Sequence, residues 1–412
     1  METKRTKNVT ILEIGADTVK LAIGSAVNEN PILYAVAERD CRGCIANGQI
    51  VDSERLRAII AGLADFGDDE LRAKTSIQDV YLILPPNGLK IYQSNAETAV
   101  VSPNSVIDNV DIRNIHNALW RRGTVPQGQK VIDIVPDFFA IDGGRLFANP
   151  PLYEHSDRLS VQAKIHAIPA EIYSAYRSVV EQAGFHIMGN EVAPYCASLL
   201  IGAQEKDTPS YILVDIGARN TTLSLVGNNN FFASVSIPRG DAFLTDMIAE
   251  QLNITTKQAE TIKRVYGYDQ REHEYKVPLI TIESGDARPV QYFQEHLNAI
   301  IAGFYEEFNR YLSGALEQLL GPSLQASNVN NQQFILTLPA LLIGGGSKLF
   351  GIEKLIAPGL STHEPRRFMP KVAGARDPRY VSLVGLIISS CTQRGALTES
   401  TSSGVGNLSR DH

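Results

Sequence analysis

Residues 213–225 read LVDIGARNTTLSL, and residues 12–21 read LEIGADTVKL. In each, an apolar β-branched run meets an acidic residue, an apolar residue and a glycine, and the apolar pattern resumes after a polar tip. That pattern predicts a strand bent into a hairpin, around Gly15, Ala16 and Asp17 in one case and around Gly217 in the other. Its recurrence after about 200 residues marks an internal repeat. A third glycine turn, LLIGGGSKLFG at residues 341–351, follows the apolar strand 340–343. Such turns cradle phosphate: without a Cβ, backbone N–H groups approach an anion closely. An acidic residue at the strand end can hold the accompanying cation through water.

Outward from these turns, residues 53–66 carry Leu56, Ile59, Ile60 and Leu63 on one face with Ser53 placed to cap, which predicts an amphipathic helix. Residues 80–84 read as a buried strand closed by Pro85 and Pro86. Residues 87–168 read as an inserted α+β module of strands around one helix at 108–121, with turns at Asp142, Gly143 and Gly144 and at Pro150 and Pro151. A helix at 171–183 stops at Gly184 and leads into 191–201. Strands at 222–226 and 231–237 flank a turn at 227–230. A mainly helical stretch follows, including 241–252, 256–266 and the long 293–320, and 381–390 form a final helix. From Gly395 the chain is rich in Ser, Thr and Gly and is expected to be disordered.

The 412 residues, 44% hydrophobic and 20% charged, describe a globular protein of two or three units at roughly 150 residues each. With 38 basic and 45 acidic residues the net charge is -7, which argues against a nucleic-acid binder. The apolar runs fall short of the roughly 20 residues that cross a bilayer, so no membrane helix is expected. The charged N-terminus lacks a signal peptide's apolar core, and four cysteines are too few for a disulfide scaffold, so the expected compartment is the cytoplasm. Cys41 and Cys44 have CxxC spacing but lack nearby partners for a metal site, and His116, His155, His166 and His186 show no ligand spacing.

Two tandem turns followed by a glycine triplet resemble the actin, Hsp70 and sugar-kinase superfamily. Within it the chain resembles the FtsA family of bacterial cell-division actin homologues. That likeness is carried by VIDIVPDFFAIDGG (131–144), NPP (149–151), Arg158, Leu159 and KIHAI (164–168), with support from Arg42, Gly43, residues 48–52 and 182–185, and Glu191. It implies an α/β, two-lobed actin-like fold with duplicated RNase H-like subdomains and an inserted α+β (SHS2-type) subdomain. The implied partition is 1–86 with 169–200 and 371–394 as the first lobe, and 87–168 as the insert. The second lobe takes 201–240 with 325–370, its helical cap 241–324, and the tail 395–412.

The resemblance also implies ATP or ADP with Mg²⁺ as ligand. Gly15, Ala16, Asp17 and Thr18 would form the first phosphate loop, and Asp215, Gly217 and Asn220, with Gly240, the second. Gly344, Gly345, Gly346 and Ser347 would form the adenosine loop. Glu260 and Lys263, in an AExxKxxxG pattern, would border the nucleoside, and Glu13 and Asp215 would hold Mg²⁺ through water. Glu191 would orient the attacking water, or else serve as a helix-start carboxylate.

The departures are specific. Glu13 stands where the family has Asp, Ala16 and Asp17 where it has small hydroxyl residues, and Thr18 near a family Lys that Lys20 could replace. Ala218 and Arg219 stand where it has glycines. Asp17 adds a negative charge beside a polyphosphate, at a cost of about 1–4 kcal/mol over a few ångströms. Binding is therefore expected to persist while hydrolysis is weak or lost. The tail has no amphipathic stripe, so recruitment to the inner membrane face at the division site would need a partner.

The implied partners are an FtsZ-type filament protein or divisome proteins, with self-association through the insert. Tyr292, Phe293 and Gln294, where the family docks a peptide, lack the usual basic residue. Two other readings are an adaptor like the PilM-type proteins of type IV pilus machines, which the DIGARNTTLSL run favours, and a small-molecule kinase.

Overall fold

The computed structural model describes residues 8–27, 30–67, 75–271, 277–284, 287–326 and 328–391. The tail from Gly395 lies outside them. Strand Val9–Ile14 turns back as Thr18–Val27 and again as Asn30–Asp40, and the parallel strands Asp79–Leu84 and His186–Val192 extend the other edge. The second sheet repeats this arrangement. Tyr211–Ile216 turns back as Thr221–Gly227 and Asn230–Ile237, and Ala340–Ile343 and Pro365–Arg367 run parallel on its other side.

The register repeats too. Glu13 stands opposite Lys20 and Ile83, and Asp215 stands opposite Thr222 and Ile343. The fold is α/β and actin-like, with both acidic strand ends and both turns delivered to the same end of their sheets.

Alternation along Tyr211–Ile216 divides two cores. Tyr211 and Leu213 enter the first-lobe core, while Ile212, Val214 and Ile216 enter the second. Because this strand is buried on both faces, its stretch 211–214 reads as an apolar run instead of an alternating one. The first core is closed by helices Ala193–Gln204 and Val381–Cys391, the second by Asp241–Leu252 and the long Gln294–Ala326.

The insert forms its own antiparallel sheet, ordered Lys90–Ala99, Arg158–Pro169, Gln129–Ile141 and Leu146–Phe147. Helix Asn109–Arg122 covers one face, burying Ile112, Ile115 and Leu119 against Ile134, Val161 and Ile165. The helix starts one residue later than the sequence predicts because Asp108 is its cap, in a reciprocal box with Asp111. Likewise Asp52, not Ser53, caps Ser53–Ala61 by accepting from the Arg55 N–H.

Two stretches differ more. The segment expected to be mainly helical contains a hairpin, Ile280–Ser284 with Ala287–Tyr292, so the long helix begins after Phe293. Glu191 lies near the end of strand His186–Val192, and the following helix starts at Ala193 with Pro194 in its first turn. Among the described residues no helix is long and apolar enough to cross a membrane.

Candidate functional site

Both hairpin turns close in the same way: the Gly15 N–H donates to Thr18 O, and the Gly217 N–H to Asn220 O, each at 2.9 Å. A Cβ at Gly217 would meet Asn220 O at 2.9 Å, and one at Gly15 would meet Thr18 O at 3.1 Å, which explains why each turn opens with glycine. The second turn rests on the start of helix Asp241–Leu252, where the Asp241 and Ala242 N–H groups donate to Gly217 O and Ala218 O at 2.9 and 2.8 Å. Strand Ala340–Ile343 leads into the third turn. There Gly344 takes φ +83°, and a Cβ on it would collide with Asp215 Oδ1.

The three turns converge on one cleft of about 970 Å³ between the lobes. Of the residues expected there, Glu13, Gly15, Ala16, Asp17, Thr18, Asp215, Gly217, Asn220, Glu260, Lys263, Gly344, Gly345 and Gly346 line it. Three do not. Gly240 lies behind the second turn, where a Cβ would meet Gly217 O at 2.5 Å. Ser347 is fully buried and braces its own loop by donating to Gly344 O at 2.8 Å. Glu191 is buried in the seam between the first lobe and the insert, its Oε1 3.4 Å from His166 Nδ1, and so is not placed to orient a water in the cleft.

The electrostatics of the cleft are largely internal. Lys20 Nζ donates to Glu13 Oε2 at 2.9 Å and to Arg379 O at 3.4 Å. Lys263, 3% exposed, is held by Asp241, Glu260 and Thr245. Burial, with the nearby Glu13 charge, pushes the Asp215 carboxyl up to about 6. Among the described residues no three His, Cys, Asp or Glu side chains converge to hold a metal ion. Of the two carboxylates expected to hold Mg²⁺ through water, Glu13 is already engaged by Lys20, which leaves Asp215 to meet the ion.

Sequence reasoning missed Asp241, Thr245, Asp246 and Arg379 as cleft residues. It also missed the seam beside Glu191. There burial and then the Glu191 charge push the Asp133 carboxyl up to about 8, while burial holds His166 down to about 4. His166 packs edge-on against Tyr195 and Phe231, and Lys164, paired with Asp137 at 2.9 Å, lies over the Phe232 ring. The insert thereby touches both lobes.

Two copies of one sheet, each presenting a glycine turn to a shared cleft backed by a glycine loop, define a two-lobed actin-like protein. Residues 212–385 match the family model of cell division protein FtsA. The cell division protein FtsA of Bacillus subtilis is 25% identical over 384 residues, 92% of this chain and 82% of that one. The chain is thus similar to the FtsA-type actin-like proteins over most of its length. The same fold recurs in a PilM-PilN type IV pilus biogenesis complex (TM-score 0.57, 20% identity, 93% of this chain and 98% of that one). It recurs also in MreB 5 of Spiroplasma citri bound to AMPPNP (TM-score 0.55, 15% identity, 98% and 100%).

Proposed function

We propose that the protein is an FtsA-like cell-division scaffold that links FtsZ-type filaments to the division machinery, with an adenine nucleotide as a conformational ligand. The observation that carries the ligand is the convergence of Gly15, Gly217 and Gly344 on one interlobe cleft. A ligand touching both lobes stabilises their closed arrangement by RT ln(1 + [L]/Kd), without needing to be hydrolysed. Weak or absent hydrolysis is supported by the location of Glu191 outside the cleft and by the engagement of Glu13 with Lys20.

The insert is proposed as the self-association surface, where Leu146 and Tyr153 are 65% and 81% exposed. Recruitment to the membrane at the division site would then come through a partner. Equilibrium binding of ADP and ATP, with and without Mg²⁺, tests the ligand, and co-sedimentation with FtsZ-type filaments tests the scaffold. No binding at millimolar nucleotide would remove the first, and no co-sedimentation the second.

A further inference from the structure

The two turn tips that depart from the family pattern meet each other. Asp17 stands two residues beyond Gly15 and Arg219 two beyond Gly217, equivalent places in the repeat. Arg219 Nε donates to Asp17 Oδ1 at 3.3 Å across 202 residues of sequence. Each partner is also fixed from its own lobe. Arg219 Nη1 donates to Asp246 Oδ2 at 2.8 Å and the guanidinium lies over the Phe243 ring, while Asp17 O accepts from the Cys41 N–H at 2.9 Å. An anion entering between the tips would have to part this pair and then sit beside the Asp17 carboxylate.

Resting on the reading of the cleft as a nucleotide site, we propose that Asp17 and Arg219 form a clasp that stands in for a nucleotide's outermost phosphate. The lobes are joined without a triphosphate, and the cleft takes an adenine nucleoside mono- or diphosphate in preference. A third phosphate must break the Asp17–Arg219 pair and then lie beside the Asp17 carboxylate, while Asp246 keeps offsetting the Arg219 charge, so ATP should bind about tenfold or more weakly than ADP.

The test has two arms. In the first, AMP, ADP and ATP are titrated calorimetrically into the wild type and the Asp17→Asn, Arg219→Gln double variant. ADP or AMP should bind at least about tenfold tighter than ATP in the wild type, and the gap should close in the variant. Equal affinities in the wild type overturn the preference.

The second arm uses no ligand: urea unfolding of the two single variants and the double variant, with circular dichroism confirming that each is folded. Non-additive effects support the clasp, and simple additivity overturns it. If no adenine nucleotide binds while the cycle is non-additive, the nucleotide reading and its preference fall and the clasp stands.

Discussion

Replacing Gly240 by alanine tests whether the second turn is held by the helix behind it. The new Cβ would lie 2.5 Å from Gly217 O and 2.6 Å from Ala218 O, the two carbonyls that accept from the Asp241 and Ala242 N–H groups. Both carbonyls must retreat, weakening two hydrogen bonds of about 1 kcal/mol each and adding overpacking strain, for an expected loss of about 2–4 kcal/mol. Gly303→Ala is the matched control. It sits in helix Gln294–Ala326 with nothing within 4 Å of where its methyl group would stand, and should stabilise by about 0.5–1 kcal/mol. Urea unfolding gives both values, and native-state hydrogen exchange reads the Asp241 and Ala242 amides. A loss below about 0.5 kcal/mol for Gly240→Ala, with those amides still protected, would refute the reasoning.

Asp133→Asn should flatten the decline of stability with rising pH. The folded carboxyl keeps its proton up to about 8 against an ordinary 3.8, so the wild type loses stability as pH rises across that window. His166, held down to about 4, acts oppositely, losing stability as pH falls below its ordinary 6.5. Urea midpoints at pH 5, 7 and 9 should show the difference, and parallel slopes for wild type and variant would count against it. Gly385→Ala would drive a Cβ into Cys196 O and should cost more than about 3 kcal/mol, read as a lowered thermal midpoint. Lys263→Met leaves Asp241 and Glu260 without their buried cation and should cost about 3–5 kcal/mol in urea unfolding.

The hairpin turns were legible because glycine and β-branched runs are local signals. Strand Asn30–Asp40 was not, because its apolar run at 32–37 shows no alternation: Ile32 and Tyr34 are exposed although Leu33 and Ala37 are buried. His186–Val192 was hidden by Gly189, Asn190 and a register shift between Ile187 and Gly189. Helix Val329–Leu336 buries no residue, so it has no apolar stripe to find. In the site, Asp17 and Arg219 were each visible as departures. Their pairing is a distance across the cleft, and only the equivalence of their places in the repeat hinted at it.

The close packing of Gly385 on Cys196 also bears on the order in which the chain can fold. Helix Val381–Cys391 lies against helix Ala193–Gln204 and strand Thr18–Val27, so the first lobe is sewn together from segments at both sides of the second. The second-lobe sheet and its helices come from the continuous stretch between Tyr211 and Arg367. During synthesis the second lobe can therefore condense on its own contacts, while the earlier-made first lobe waits for its closing helix. The lobe synthesised first is the one completed last.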